Sequence, residues 1–262
     1  MADNIRITIV QQSSSLRPEE NRAAVAAVDS DADLVVFPEA FARDFGKPGD
    51  DISEFAEPHD GPFSQALNGW VGAGQTVVAG MFEASEDPDR PFNTLLVRGA
   101  TEASYRKIHL YDSFGYLESD RLTAGPWTPT LIDVHGFRVG LMTCYDLRFP
   151  ELARALVDLG ADVLVVPAAW VPGRSGDEHA RKIDHWTTLV RARAIENTTY
   201  VVAAGQAAPR YTGHSLVVAP SGDVVAQALA EPTELSATLS RALIDEVRRT
   251  NPSLANRRLE GR

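Results

Sequence analysis

The sequence predicts an α/β protein whose strands form two related sheets, packed face to face with helices outside. Two observations lead there. Short apolar runs alternate with segments of helical character through all 262 residues, and no Pro/Gly/Ser-rich linker divides them. One stretch is also echoed: Ala32-Asp33-Leu34-Val35-Val36-Phe37-Pro38-Glu39-Ala40 is similar to Ala161-Asp162-Val163-Leu164-Val165-Val166-Pro167-Ala168-Ala169. Each copy follows a helix, and each helix follows a strand, so one strand–helix–strand unit is used twice. In this register Glu39 falls opposite Ala168 and Cys144 opposite Gln12. The scaffold is duplicated and the chemistry is not. Chance similarity between two Val-rich strands is the competing reading. Residues 1–262 read as a single domain.

The elements follow in order. Ile5, Ile7 and Ile9 alternate with Arg6 and Thr8, which predicts a strand over 5–10. Pro18-Glu19-Glu20 opens a helix, because proline suits the first turn and acids suit the positive end of the dipole. Leu34 to Phe37 read as a strand buried on both faces, ending at Pro38-Glu39. A helix over 62–74 and strands over 76–82, 93–98 and 103–107 come next. Residues 131–134 and 137–143 form a hairpin joined at His135-Gly136. A helix over 149–159 is closed by Gly160, and Val163 to Val166 form another buried strand. A long helix fits 178–197. Strands at 199–204, 214–219 and 224–229 follow, with 220–223 as a turn. The last helix lies near 240–249.

Composition narrows the function. The formal net charge is −11, which argues against nucleic acid or an anionic membrane as partner. A local Arg or Lys can still override that field for a small anionic substrate. The single cysteine excludes an intramolecular disulfide. The N-terminal apolar run is too short for a secretory segment, and nothing approaches the ~18 apolar residues of a membrane span. The expectation is a soluble, cytoplasmic protein in which a free thiol is at home.

That thiol is the most informative residue. Cys144 ends an apolar run, and a helix start follows within a few residues, a recurrent way to expose a nucleophile. Glu39 and Lys107 also sit at the C-terminal ends of expected strands, where sheets of this kind line their ligand crevice. A thiol with a free pKa of ~8.5 is mostly protonated at neutral pH. Glu39 can take its proton, and Lys107 can favour the thiolate and then hold an oxyanion. The backbone N–H of Tyr145 offers a second oxyanion donor. Taken singly, each residue has a plainer reading: a buried small hydrophobe, a helix cap and a solvated amine.

Three segments tie these residues together. Phe37-Pro38-Glu39, Tyr105-Arg106-Lys107-Ile108-His109-Leu110 and Cys144-Tyr145-Asp146-Leu147-Arg148-Phe149-Pro150-Glu151-Leu152 resemble, in order, the motifs of the nitrilase superfamily of carbon–nitrogen hydrolases. A fourth, from His185-Trp186 to Glu196-Asn197, is also similar. The resemblance spans nearly the whole chain. It implies a four-layer α-β-β-α sandwich and a Glu39–Lys107–Cys144 triad. It matches Glu118 to a second glutamate that orients the lysine or shares proton transfer. It implies no cofactor and no metal. It further implies a homodimer or higher homo-oligomer, with the C-terminal tail of about 250–262, including Asn256-Arg257-Arg258, at a subunit interface.

The Tyr145-Asp146 pair differs from the Trp-Glu usual in true nitrilases. The pattern looks like the amidase branch that includes ω-amidase and deaminated-glutathione amidase, whose substrates carry a distal carboxylate. The implied reaction converts a small linear carboxamide and water to acid and ammonia through a cysteine thioester. Nitrilase or N-carbamoyl amidohydrolase chemistry on the same triad is an alternative, as is a catalytically silent binding member of the fold. Arg148 and Arg174 are candidate carboxylate readers, since a guanidinium fork matches that anion; a structural salt bridge is the competing role for both. Trp170 and Phe45 are candidate pocket walls, with core packing as the alternative. The charged segment 171–184 looks long for this family and is expected to reshape the pocket. His179 and His185 lie six apart, which does not suit a metal pair on one helix face. A Cys–His hydrolase with His109 or His214 as base is a further alternative.

Overall fold

A computed structural model describes residues 2–258. In chain order it contains β1 (Asn4–Gln11), α1 (Pro18–Ala27), β2 (Leu34–Val36), α2 (Pro62–Trp70), β3 (Thr76–Glu83), β4 (Phe92–Gly99) and β5 (Ala103–Arg106). A short hairpin of β6 (Asp112–Ser113) and β7 (Tyr116–Leu117) separates these from β8 (Leu131–Val134), β9 (Phe137–Leu141), α3 (Pro150–Asp158), β10 (Val163–Ala168) and α4 (Gly176–Asn197). β11 (Tyr200–Gly205), β12 (Leu216–Val218), β13 (Val224–Gln227), β14 (Thr233–Ser240) and α5 (Arg241–Thr250) complete the chain.

The duplication is topological as well as local. The strand orders are β14-β1-β2-β3-β4-β5 and β13-β12-β11-β10-β9-β8. In the first sheet β1, β2 and β3 are parallel, and β4 and β5 return antiparallel. In the second, β9, β10 and β11 are parallel, and β12 and β13 return antiparallel. Each first strand has one further antiparallel neighbour, β14 on β1 and β8 on β9. Ile7 faces Leu34 as Val139 faces Val163, which puts Gln12 opposite Cys144 and Glu39 opposite Ala168. The two aspartates repeat the same bonds. Asp33 N–H donates to Arg6 O (2.9 Å) and its carboxylate accepts from Arg6 N–H (2.7 Å). Asp162 does the same with Arg138 (2.8 and 3.1 Å).

Four layers result. Val25, Val35, Phe63, Leu67 and Val77 form a core between α1, α2 and the outer face of the first sheet. The inward set Ile5, Ile7 and Ile9 joins the larger core that includes Val139 and Val165 of the second sheet and Leu156 and Val190 of α3 and α4. Strand alternation makes this sorting automatic, because successive side chains point to opposite faces.

Three elements differ from expectation. β14 was not foreseen: only Leu235, Ala237 and Leu239 are apolar in Thr233–Ser240, and their period-2 spacing was the available signal. The hairpin β6–β7 was also missed, since two-residue strands leave no periodicity. α2 stops at Trp70, short of 74, where Gly72 and Gly74 (φ 81°) follow. The hairpin at His135-Gly136 is present, with φ of 52° and 88° at its two turn residues, as a tight turn of this hand requires.

Among the described residues no helix is long and apolar enough to cross a membrane. The expected interface tail is partly described. Arg257 pairs with Asp158 of its own chain, and positions 259–262 lie outside the described residues.

One glycine fixes the edge of the first sheet from which Glu39 emerges. Gly80 in β3 lies against the segment that follows β2, with Gly80 N–H donating to Pro38 O and Ala42 N–H donating to Gly80 O. A Cβ there would fall 2.3 Å from Ala40 N and 2.8 Å from the Glu39 backbone. Gly80→Ala is therefore expected to cost about 1–3 kcal/mol by overpacking. For a chain of this size that is roughly a 5 °C fall in Tm. It should also lower kcat, because Glu39 must shift. A melting scan that leaves Tm in place would disprove the packing account.

Candidate active site

Glu39, Lys107 and Cys144 leave their sheets at the same edge. Glu39 follows β2, Lys107 follows β5, and Cys144 follows β9. Lys107 is held by its own N–H on Asn93 O (2.8 Å), and its carbonyl accepts from Gly125 N–H (2.8 Å). Its side chain is 2% exposed, and the ammonium donates to Glu39 Oε1 (3.0 Å) and to both Glu118 oxygens (3.0 and 2.8 Å). Glu39 is 1% exposed, and its Oε2 accepts from Ala169 N–H at the end of β10 (2.7 Å). Both sheets thus hold the same carboxylate.

Glu118 reaches the site from a 3-10 turn directly after β7. Tyr111 N–H donates to its Oε2 (2.5 Å). Asn93 on β4 donates to Glu39 Oε1 (2.8 Å) and, more weakly, to Glu118 Oε1 (3.4 Å).

Cys144 begins a 3-10 turn, Cys144–Arg148, with φ 44°, a left-handed value that is uncommon for a residue with a Cβ. Asp146 pins that turn. Fully buried, it accepts from Thr143 N–H (2.9 Å) and Tyr105 O–H (2.7 Å) on Oδ2, and from His109 N–H (3.0 Å) on Oδ1. The turn that carries the sulfur is thereby tied to the strand and loop that carry the lysine. The first N–H groups of such a turn have no partner inside it, which leaves that of Tyr145 available.

Charge decides the resting state. Burial, then the Glu39 carboxylate, push the Cys144 thiol well above its ordinary range, with Lys107 opposing. The sulfur therefore keeps its proton at neutral pH until a base removes it. Burial pulls the Lys107 ammonium down, but Glu118, Glu39 and Cys144 together outweigh it and hold it well above its usual value. Burial raises Glu118, against Lys107 and with Glu39. The arrangement provides a neutral thiol, a permanent cation and an adjacent carboxylate, which suits attack on a carbonyl carbon.

A cavity of about 500 Å³ opens above Cys144, Glu39 and Lys107. The four residues singled out for substrate contact all line it, as does Tyr145. Phe45 packs its ring edge-on to Phe82 (5.2 Å between centroids). Trp170 carries the Arg148 guanidinium over its face at 5.1 Å and donates from Nε1 to Lys182 O (2.9 Å). Arg148 Nε is buried without a hydrogen-bond partner. Neither Arg148 nor Arg174 is ion-paired with an acidic side chain among the described residues, so the salt-bridge role does not apply. The segment 171–184 does shape the cavity: Ser175 caps α4, and Arg174, Glu178 and Lys182 line the wall. Burial, with Arg148 and Arg174 behind it and Glu178 opposing, holds the Lys182 ammonium below its ordinary value.

His109 is not placed as a base. Its Nδ1 pairs with Asp146 Oδ1 (2.7 Å), its ring stacks on Phe149 (3.7 Å), and it does not line the cavity. His214 likewise lies outside the cavity wall, with Nδ1 on Thr212 O (2.5 Å). Sequence reasoning missed Asn93, Asp146 and Lys182. Asp146 sat inside a quoted motif, and Asn93 was the polar first residue of an expected strand.

Known proteins resemble the chain over most of its length. The family model for carbon–nitrogen hydrolase matches residues 6–249. A Mycobacterium tuberculosis protein described as a hydrolase is 39% identical over 260 residues, covering 90% of this chain and 89% of its own. A deaminated glutathione amidase of Escherichia coli O157:H7 is 38% identical over 234 residues, covering 88% and 87%. Among solved structures, Saccharomyces cerevisiae Nit3, a member of branch 10 of the nitrilase superfamily, superposes with a TM-score of 0.81 at 27% identity, over 99% of this chain and 98% of that one.

Proposed function

The chain belongs to the carbon–nitrogen hydrolase family, within the nitrilase superfamily, and from that premise we propose that it hydrolyses a small linear carboxamide bearing a distal carboxylate, through a thioester on Cys144. The observation that carries the reading is the buried cluster of thiol, ammonium and two carboxylates in the wall of a cavity that Arg148, Arg174 and Lys182 also line.

Each step uses a group already described. Glu39 takes the thiol proton as the sulfur pair forms a bond to the amide carbon, and the carbonyl pair moves onto oxygen. Lys107 and the Tyr145 N–H receive that oxyanion. Such donors act strongly because they are fixed and dry before the charge appears. The proton returns from Glu39 to the amide nitrogen, the C–N bond breaks, and ammonia leaves. Water then gives a proton to Glu39 and attacks the thioester, and the thiol is restored as the acid departs. The sum is amide plus water to acid plus ammonia. Glu118 holds the lysine charged throughout.

The cations explain a preference for an anionic acyl group. The chain as a whole is acidic, yet outside the buried cluster the cavity wall holds five cations, Arg121, Arg148, Arg174, Lys182 and Arg210, against Glu178. Arg148 has an unpaired buried N–H and a planar fork suited to a carboxylate. Arg148→Leu is expected to raise KM for carboxylate-bearing amides by roughly 10–100-fold, the loss of a charge-assisted hydrogen bond. KM for a neutral amide of the same length should change little. Ammonia release over a panel of neutral and ω-carboxylate amides, nitriles and N-carbamoyl compounds checks both points. Equal loss on neutral and charged substrates would remove the carboxylate assignment. Equal release by the native protein and Cys144→Ala would leave a silent member of the fold.

A further inference from the structure

We propose that Asn93 is a positioning residue that selects one oxygen of Glu39, Oε2, as the atom that receives the thiol proton. This rests on the amidase reading above and goes beyond it to a residue and an atom.

The argument is a count of acceptor directions. A carboxylate oxygen has two lone pairs in its plane. Glu39 Oε1 accepts from Lys107 (3.0 Å) and from Asn93 Nδ2 (2.8 Å), so both are used. Glu39 Oε2 accepts from the Ala169 N–H (2.7 Å) and keeps one direction open. Glu118 is filled on both sides: Oε1 by Lys107 and the longer Asn93 contact, Oε2 by Lys107 and the Tyr111 N–H. Of the four carboxylate oxygens around the ammonium, Glu39 Oε2 alone can accept a further proton without losing a bond.

Asn93 enforces this by donating to both acids. It is 1% exposed on β4, and its Oδ1 is buried with no hydrogen-bond partner. An orphaned buried acceptor costs free energy and calls for a cause. The cause is visible in the geometry. Turning the amide over would break both donated bonds and aim Oδ1 at two carboxylates. The side chain is therefore locked as a donor. The titratable groups facing Glu39 are Lys107 from the end of β5, Glu118 from the turn after β7, and Cys144 from the turn after β9. β10 contributes only a backbone N–H, and β3 presents Gly80.

The test is a pair of pH profiles on the full chain, for kcat/KM and for alkylation of Cys144 by iodoacetamide followed by mass. Removing the donor in Asn93→Leu makes the Glu39 carboxylate easier to protonate. The acid limb of both profiles should then move up by about 1–2 pH units, the worth of one hydrogen bond to a charged group. Asn93→Asp places a third carboxylate against the pair and should move the limb at least as far. KM should stay within about threefold, because Asn93 does not line the cavity. A fall in amplitude with an unmoved midpoint, in either folded variant, overturns the proposal, since that is what a merely structural asparagine would give. If Asn93→Leu does not fold, Asn93→Asp, of the same shape, decides. If the native protein hydrolyses no amide, the alkylation profile still reports on the base. Failure of the amidase reading and failure of this one are thus distinguished.

Discussion

Lys107→Met is expected to lower stability by about 3–5 kcal/mol and to abolish turnover, because it leaves two buried carboxylates without their cation. For a chain of this length the fall in Tm is on the order of 10 °C. The deficit should depend on pH in a defined sense. In the native protein the folded-state pKa of Lys107 lies above its unfolded value. Its stabilisation is therefore complete below the unfolded pKa and is lost only as pH rises through the folded one, in strong alkali. In the variant the carboxylates can be relieved only by binding a proton. The folded state then holds more protons than the unfolded one, and its stability falls as pH rises. The gap between variant and native protein should widen from pH 5 to pH 8. Urea denaturation at both values measures it. A gap that is constant, or wider at pH 5, would show that the ammonium does not neutralise Glu39 and Glu118.

Glu39→Gln is expected to cost about 10²–10⁴-fold in acylation, the loss of a positioned general base. His109→Asn should stay within roughly tenfold of the native rate, since it removes a ring contact and leaves the base in place. The contrast separates two thiol chemistries on one site. The glutamine keeps the donors from Lys107 and Ala169 in reach but cannot take the thiol proton, and burial still holds that proton on the sulfur. His109 is occupied by Asp146 and Phe149. Cys144→Ala sets the floor. Ammonia release gives the rates, and mass detection of an acylated Cys144 shows which step is lost. The opposite ranking would assign the base to the histidine.

Most of the fold was legible, and the reason is local. Strands such as Leu34–Val36 and Val163–Ala168 are apolar runs bounded by helix ends, and the two Asp-Val-rich copies share a sequence as well as a topology. β14 escaped because an edge strand facing solvent on one side keeps only every second residue apolar. Glu39, Lys107, Cys144 and Glu118 were legible because each sits in or beside a recognisable segment. Asn93 and Asp146 were not. Their partners lie in other elements: Asn93 bonds to Glu39 from another strand, and Asp146 bonds to Tyr105 from the other sheet. No window of neighbouring residues contains those pairs.

By itself the sequence determined the order of strands and helices, the doubled unit and the identity of the four candidate side chains that the structure brings together, because these depend on periodicity and on residues close along the chain. The tertiary structure alone decided what those side chains can do. Removal of water by distant segments keeps the thiol protonated, and the neighbouring Glu118 and Glu39 keep the ammonium charged against the same desolvation. The end of β10 claims one lone pair of Glu39 and leaves another free. The turn after β9, the segment before α4 and the first turns of α4 bring Arg148, Arg174 and Lys182 to one cavity wall and give an acidic chain a local cluster of cations. Desolvation and through-space charge depend on distance in three dimensions, and that distance is set only when the two sheets pack.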